Sequence, residues 1–99
     1  MDTAQQHEIM FTQLVLMFHT AAMQQMGKLK NPMTDKIERN LEAAKNSIDL
    51  LDMLKEKTRG NLSDDESRLL RQVVQELKLN FVDEKNRPEE KGEPAPEPK

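Results

Sequence analysis

Apolar positions along the chain fall into three stretches with the spacing of amphipathic helices. From about residue 7 to 26 the pattern predicts helix 1. Projected at about 100° per residue, Met10, Phe11, Leu14, Val15, Met17, Phe18, Ala21 and Ala22 fill one broad arc suited to facing a core. Ile9, Leu16 and Met23 recur every seventh residue on the other side, and Ile9 to Gly27 contains no Asp, Glu, Lys or Arg. A helix apolar on two faces needs cover on both, and two companions in a small domain cover only part of it. Helix 2, predicted from about 35 to 59, has a core arc of Ile37, Leu41, Ala44, Ile48, Leu51 and Leu54, widened by Ala43 and Leu50, with Glu38, Glu42, Lys45, Asp49, Asp52 and Glu56 opposite. Helix 3, about 63 to 82, shows Leu69, Leu70, Val73, Val74, Leu77 and Phe81 on one side, while Leu79 and Val82 fall off that stripe.

The stretch KTRGNLSDDE, residues 57 to 66, stops one helix and starts the next. Gly60 suits a left-handed position just past a helix end, and Lys57 and Arg59 place positive charge near the negative end of the helix dipole. Ser63 with Glu66 forms a capping box, with Asp64 and Asp65 in the first turn. Leu62 faces Ser67 on the helix, so it makes no hydrophobic staple and is expected to pack between the two helices. So short a connection predicts an antiparallel helix 2/helix 3 hairpin.

Residues 1 to 6 are polar and read as frayed. Gly27 ends helix 1, Lys28 to Pro32 connect, and helix 2 is expected to begin near Thr34 or Asp35, with Asp35 and Glu38 as an acidic capping pair. After Val82 the composition changes to DEKNRPEEKGEPAPEPK, which holds four of the five prolines. Residues 83 to 99 therefore read as a disordered Pro/Glu/Lys tail.

Composition changes this picture in two ways. With 35% hydrophobic residues and three aromatics in 99 residues, one small domain has little material for a solitary core, so association would help it. The expected fold is an all-α three-helix domain over residues 7 to 82, dimerising through helix 1 about a two-fold axis, with Ile9, Leu16, His19 and Met23 at the interface. Zero Cys excludes disulfides and thiolate zinc sites. An acidic start without Lys or Arg does not resemble a secretory signal, so the expected location is the cytoplasm. The net charge of −3 exerts no global pull on nucleic acid or anionic lipid.

Candidate chemistry is sparse. His7 and His19 point about 120° apart on one helix and cannot share a metal within one chain. The acids of helix 2 face outward, as a solvated surface does. Lys28, Lys30, Lys36 and Arg39 form the densest basic patch and are the candidate phosphate contacts for an RNA-binding alternative, although no aromatic is interleaved for base stacking. Membrane association through helix 1 is a more remote alternative, since Thr12, Gln13, His19, Thr20, Gln24 and Gln25 would need partners in lipid. No Ser stands beside a His and no glycine-rich turn is present, so no catalytic residue, cofactor or small-molecule substrate is expected.

Three segments carry a family resemblance. Phe11, Leu14 and Val15 open helix 1; Ala44, Ile48, Asp49, Leu51 and Leu54 lie in helix 2; Lys57, Thr58, Gly60, Asn61 and Leu62 form the turn. Over roughly residues 10 to 82 the chain resembles bacterial domain-of-unknown-function family 1844. The segment NPMTDK departs from the family's Gly- and Pro-containing insert, which leaves the exact start of helix 2 open. The resemblance implies a small bacterial cytosolic helical protein and brings no activity. The expected function is a non-enzymatic helical interaction module, acting as a homo-oligomer or as a subunit that binds a protein partner on helix 1. RNA or ribosome association is the alternative.

Overall fold

A computed structural model describes residues 2–87. Its elements are three helices, α1 (Thr3–Gln25), α2 (Leu41–Lys57) and α3 (Asp64–Lys85), with no strand among the described residues. Every pair of helices is in contact.

Helix α1 begins four residues earlier than the apolar pattern indicates, because Asp2 caps it. The Asp2 carboxylate accepts from the Gln5 backbone N–H at 2.8 Å, and the Gln5 side chain accepts from the Asp2 N–H at 3.1 Å. That reciprocal pair satisfies two orphan donors, so residues 3 to 6 are helical and not frayed. At the other end Gly27 adopts φ 88°, a region open to glycine. Its N–H donates to the Gln24 carbonyl and that of Lys28 to the Met23 carbonyl, the two bonds of a Schellman motif.

The connector overturns the expected start of helix 2. Residues 31 to 36 close into a turn: the Asn31 N–H donates to the Lys36 carbonyl at 2.8 Å, and the Asn31 carbonyl accepts from Asp35 at 2.7 Å. Asp35 sits at φ 58° and caps nothing. Glu38, expected as its capping partner, instead accepts from Asn31 Nδ2 and Thr34 Oγ1, each at 3.0 Å. Ile37 therefore lies outside the helix and is 43% exposed. The true N-cap is Asn40, whose side chain accepts from the Ala43 N–H at 3.0 Å while its own N–H donates to the Gln25 carbonyl at 2.6 Å. One residue thus starts α2 and ties it to the end of α1.

Helix α2 stops at Thr58, whose hydroxyl donates to the Leu54 carbonyl at 2.8 Å, and Gly60 follows at φ 81°. Ser63 opens α3: its hydroxyl accepts from the Glu66 N–H at 3.1 Å, and Glu66 accepts from the Ser63 N–H at 2.8 Å. The Ser63 hydroxyl also donates to Glu8 of α1 at 2.8 Å. Asp64, Asp65 and Glu66 place negative charge at the helix N-terminus.

The core is formed by Val15, Ala22 and Met26 from α1, Ala44, Ile48 and Leu51 from α2, and Leu70, Val73, Val74 and Leu77 from α3. Phe11, Phe18 and Leu62 pack partly against it. Two polar residues are buried with these side chains, Ser47 and Glu84. Ser47 donates to Gln25 Oε1 at 2.7 Å, a second bond between α2 and the end of α1. Glu84 falls in the segment read as tail, yet α3 continues to Lys85 and buries it; residues 88 to 99 of that tail lie outside the described residues.

Replacing Asn40 with Ala removes the α2 cap and should lower unfolding stability by about 1 kcal/mol in a urea titration. If α2 instead started near Asp35, Asn40→Ala would be close to neutral, because alanine favours a helix interior.

Candidate interaction surface

Helix α1 turns a single flank to the core. Val15, Ala22 and Met26 are fully buried at spacings of seven and four, and α2 and α3 pack on either side of them. What remains faces outward: Ile9 is 46% exposed, Met10 60%, Leu16 45% and Met17 67%. The sequence pattern put Met10, Leu14 and Met17 on the core arc, and the structure corrects this. The core arc centres on Val15 and Ala22, about 120° from the line through Met10, Leu14 and Met17, so these three look past α2 into solvent. Met23, expected outside with Ile9 and Leu16, is half-buried and packs on the core.

Between α1 and α3 the surface forms a shallow groove of about 580 Å³, whose lining includes Leu16, His19, Val73, Glu76 and Leu79. Leu79 is 67% exposed. His19 Nε2 lies 3.6 Å from Glu76 Oε2. The pair ties α1 to α3 as Glu8–Ser63 does nearer the N-terminus and Lys28–Glu84 does beyond Gln25, so α1 and α3 run in the same direction. His7 is exposed on the first turns of α1.

The basic patch behaves differently from a phosphate site. Lys28 Nζ lies 3.0 Å from Glu84 Oε2 and 3.2 Å from Asp83 Oδ2. Arg39 donates from Nε to Glu84 Oε1 at 3.2 Å and from its terminal nitrogen to the Glu84 carbonyl at 2.6 Å. Arg87 bonds the same carboxylate from the next turn. Lys30 is 3.8 Å from Asp35, and Lys36 is exposed at the far side of the connector turn. Two of the four proposed phosphate contacts are thus engaged inside the fold.

Glu84 is 2% exposed. Burial pushes its carboxyl up, but the hydrogen bond and charge of Lys28, joined by Arg39 and Arg87, outweigh that and hold it below the ordinary glutamate value. The Glu84 hydrogen bond in turn raises Lys28, against the opposing effect of burial. Sequence reasoning missed this cluster by ending helix 3 at Val82. The available signal was register: Glu84 stands seven residues after Leu77, on the core stripe, where a carboxylate requires cations.

Of the acids on α2 expected to face outward, Asp49 pairs along its own helix with Lys45 at 2.8 Å, while Asp52 is half-buried and bridges to Lys78 of α3 at 2.9 Å. Among the described residues no three His, Asp or Glu side chains are grouped to hold a metal, and no helix is long and apolar enough to cross a membrane.

Because the Glu84 pKa is lowered on folding, the unfolded chain takes up the proton first as pH falls. The cluster's contribution is therefore complete above the ordinary glutamate value of the unfolded chain and is lost as pH drops through the lower folded one. Glu84→Gln should cost about 2 kcal/mol at pH 7, since it leaves two part-buried cations short of a counter-charge, and should flatten the acid limb of stability against pH. Urea titrations of both proteins from pH 7 to pH 3 check this; parallel acid limbs would contradict it.

No curated protein and no solved structure matches the chain significantly. A family model does match, over residues 8–84, a span that runs from the α1 carboxylate bonded to Ser63 through the buried carboxylate of α3. By that match the chain belongs to the family described as Domain of unknown function (DUF1844).

Proposed function

We propose that this protein is a non-enzymatic helical interaction module of the cytoplasm whose working surface is the outward face of α1, and that it acts as a homodimer through that face. The observation that carries the reading is the contrast between charge and exposure. One residue in three of the chain is charged, yet Ile9 to Gly27 has none, while Ile9, Met10, Leu16 and Met17 stand open to solvent along it. An apolar helical face without charges can be buried against another protein at no cost in ion desolvation.

The scaffold behind that face is read as an antiparallel α2/α3 hairpin laid against α1. Its support is the pairing of Arg39, just before α2, with Glu84 at the end of α3, while Lys57 and Asp64 at their other ends are joined by six residues. The Cα positions extend only 15 Å in the thinnest direction, so the hairpin covers one side of α1 and leaves the other.

Association with RNA or ribosomes is the weaker reading. Lys28 and Arg39 neutralise Glu84, and recruiting them to phosphate would leave that buried carboxylate with Arg87 alone of its three cations.

Leu16→Glu tests the surface. At 45% exposure the glutamate reaches water in a single copy, so the variant should keep its helical circular dichroism and thermal midpoint as a monomer. Light scattering over a dilution series should report a dimer for the parent chain and a single-chain mass for the variant. A folded variant with unchanged mass would remove Leu16 from the surface.

A further inference from the structure

The outward face of α1 carries more than apolar bulk, since its lines of polar and apolar residues can be matched by those of a second copy. Gln6, Gln13 and Thr20 recur every seventh residue along the middle of the exposed face. Ile9 and Leu16 flank that line on the side of α3, where Leu16 joins the α1/α3 groove. Met10 and Met17 flank it on the side of α2. Repeats of seven with apolar flanks form the seam of a two-helix contact, and uncharged polar residues on the centre line select register.

Resting on the homodimer reading above, we infer that the two copies pair α1 against α1 in antiparallel orientation about a two-fold axis passing beside Gln13. In that register Gln13 meets the partner's Gln13, where each amide has both a donor and an acceptor to offer. Gln6 lies opposite the partner's Thr20. Ile9 packs against the partner's Leu16, and Met10 against the partner's Met17, so polar meets polar and apolar meets apolar along the whole seam. Sliding either copy by three or four residues sets Gln13 against an apolar side chain.

Charge selects the antiparallel choice over the parallel one. Asp2 and Glu8 mark the N-terminal end of α1, and Lys28 and Lys30 follow its C-terminal end. Antiparallel pairing brings the acidic end of one copy beside the basic end of the other and opposes the two helix dipoles. Parallel pairing sets acid against acid and lysine against lysine. Glu8 keeps its bond to Ser63 and Lys28 its bond to Glu84, so complementarity acts between the ends as fields and needs no new ion pair.

The chain contains no cysteine, so single introduced thiols report the geometry without background. Three full-length variants are oxidised at low micromolar concentration and run on non-reducing gels: Gln13→Cys alone, Ile9→Cys alone, and Ile9→Cys mixed with Leu16→Cys. The antiparallel seam predicts that Gln13→Cys cross-links as the major band, that Ile9→Cys alone stays largely uncross-linked because its copies lie roughly eight residues, about 12 Å, apart along the axis, and that the mixture yields the mixed disulfide. Efficient cross-linking of Ile9→Cys to itself, with no mixed disulfide to Leu16→Cys in the mixture, would establish the parallel seam and overturn the proposal. If the parent chain is a dimer that Leu16→Glu dissociates, yet no pair cross-links, the register is wrong while the surface stands. A monomeric parent chain overturns both the register and the homodimer.

Discussion

A carboxylate buried at the end of a three-helix core sets the terms for the rest of this fold. Glu84 cannot stay buried without cations, because an isolated charge loses far more hydration than packing returns. Lys28 and Arg39 supply them from opposite ends of the α1–α2 connector, so that connector is anchored to the last turn of α3 at both its ends. The Schellman turn at Gly27 aims Lys28, and the closed turn from Asn31 to Lys36 takes up the intervening residues so that Arg39 arrives on the same oxygen pair. Asn40 then follows at once as the α2 cap. Connector length, the late start of α2 and the late end of α3 are parts of one electrostatic solution.

That solution leaves α1 tied along one side and bare on the other. Its polar ties, Glu8 to Ser63, His19 to Glu76 and Gln25 to Ser47, all lie towards α2 and α3. Beyond His7 on its first turns, the outward side of α1 carries Gln, Thr and apolar side chains. Buried apolar area accounts for the core side: each fully buried side chain such as Leu51, Leu70 or Leu77 contributes roughly 1.5–3 kcal/mol. The same arithmetic leaves the exposed Ile9, Met10, Leu16 and Met17 roughly half of that contribution each unused, available only to a structure that covers them.

The parts of the fold legible in the sequence were those governed by local chemistry. Ser63 with Glu66 and the stripes of α2 and α3 follow from capping and from period 3.6, and both lie within a few residues of each other in the chain. The misreadings had non-local causes. Asp35 and Glu38 have the spacing of an acidic cap, but Asn31 and Thr34 compete for Glu38 and close a turn. On α1, two apolar arcs of similar weight left the choice of inner face to whichever helices pack there, and the wheel alone put Met10 and Met17 inside and Met23 outside. At Glu84 the change of composition after Val82 masks the register that begins at Leu70. The Asp2–Gln5 box precedes the apolar run, so hydropathy spacing gives no sign of it.

An exposed apolar helix face has a solvated alternative explanation, and the other helices of the same chain test it. Where α2 and α3 meet water they carry paired charges one turn apart: Lys45 with Asp49, Lys55 with Asp52, Arg68 with Asp65. Each such pair stabilises a helix only slightly, by about 0.2–0.5 kcal/mol, but it also keeps the surface soluble. If the outward face of α1 were simply another wet surface, the same chemistry would suit it equally well, and the long side chains of Met10, Leu16 and Met17 would gain nothing there. A central line of Gln and Thr differs from a charged surface in the property that matters for burial. These side chains can exchange bonds to water for bonds to one another at little net change, whereas a lysine or glutamate buried without an opposite charge cannot. Such a face tolerates water and is also suited to being covered.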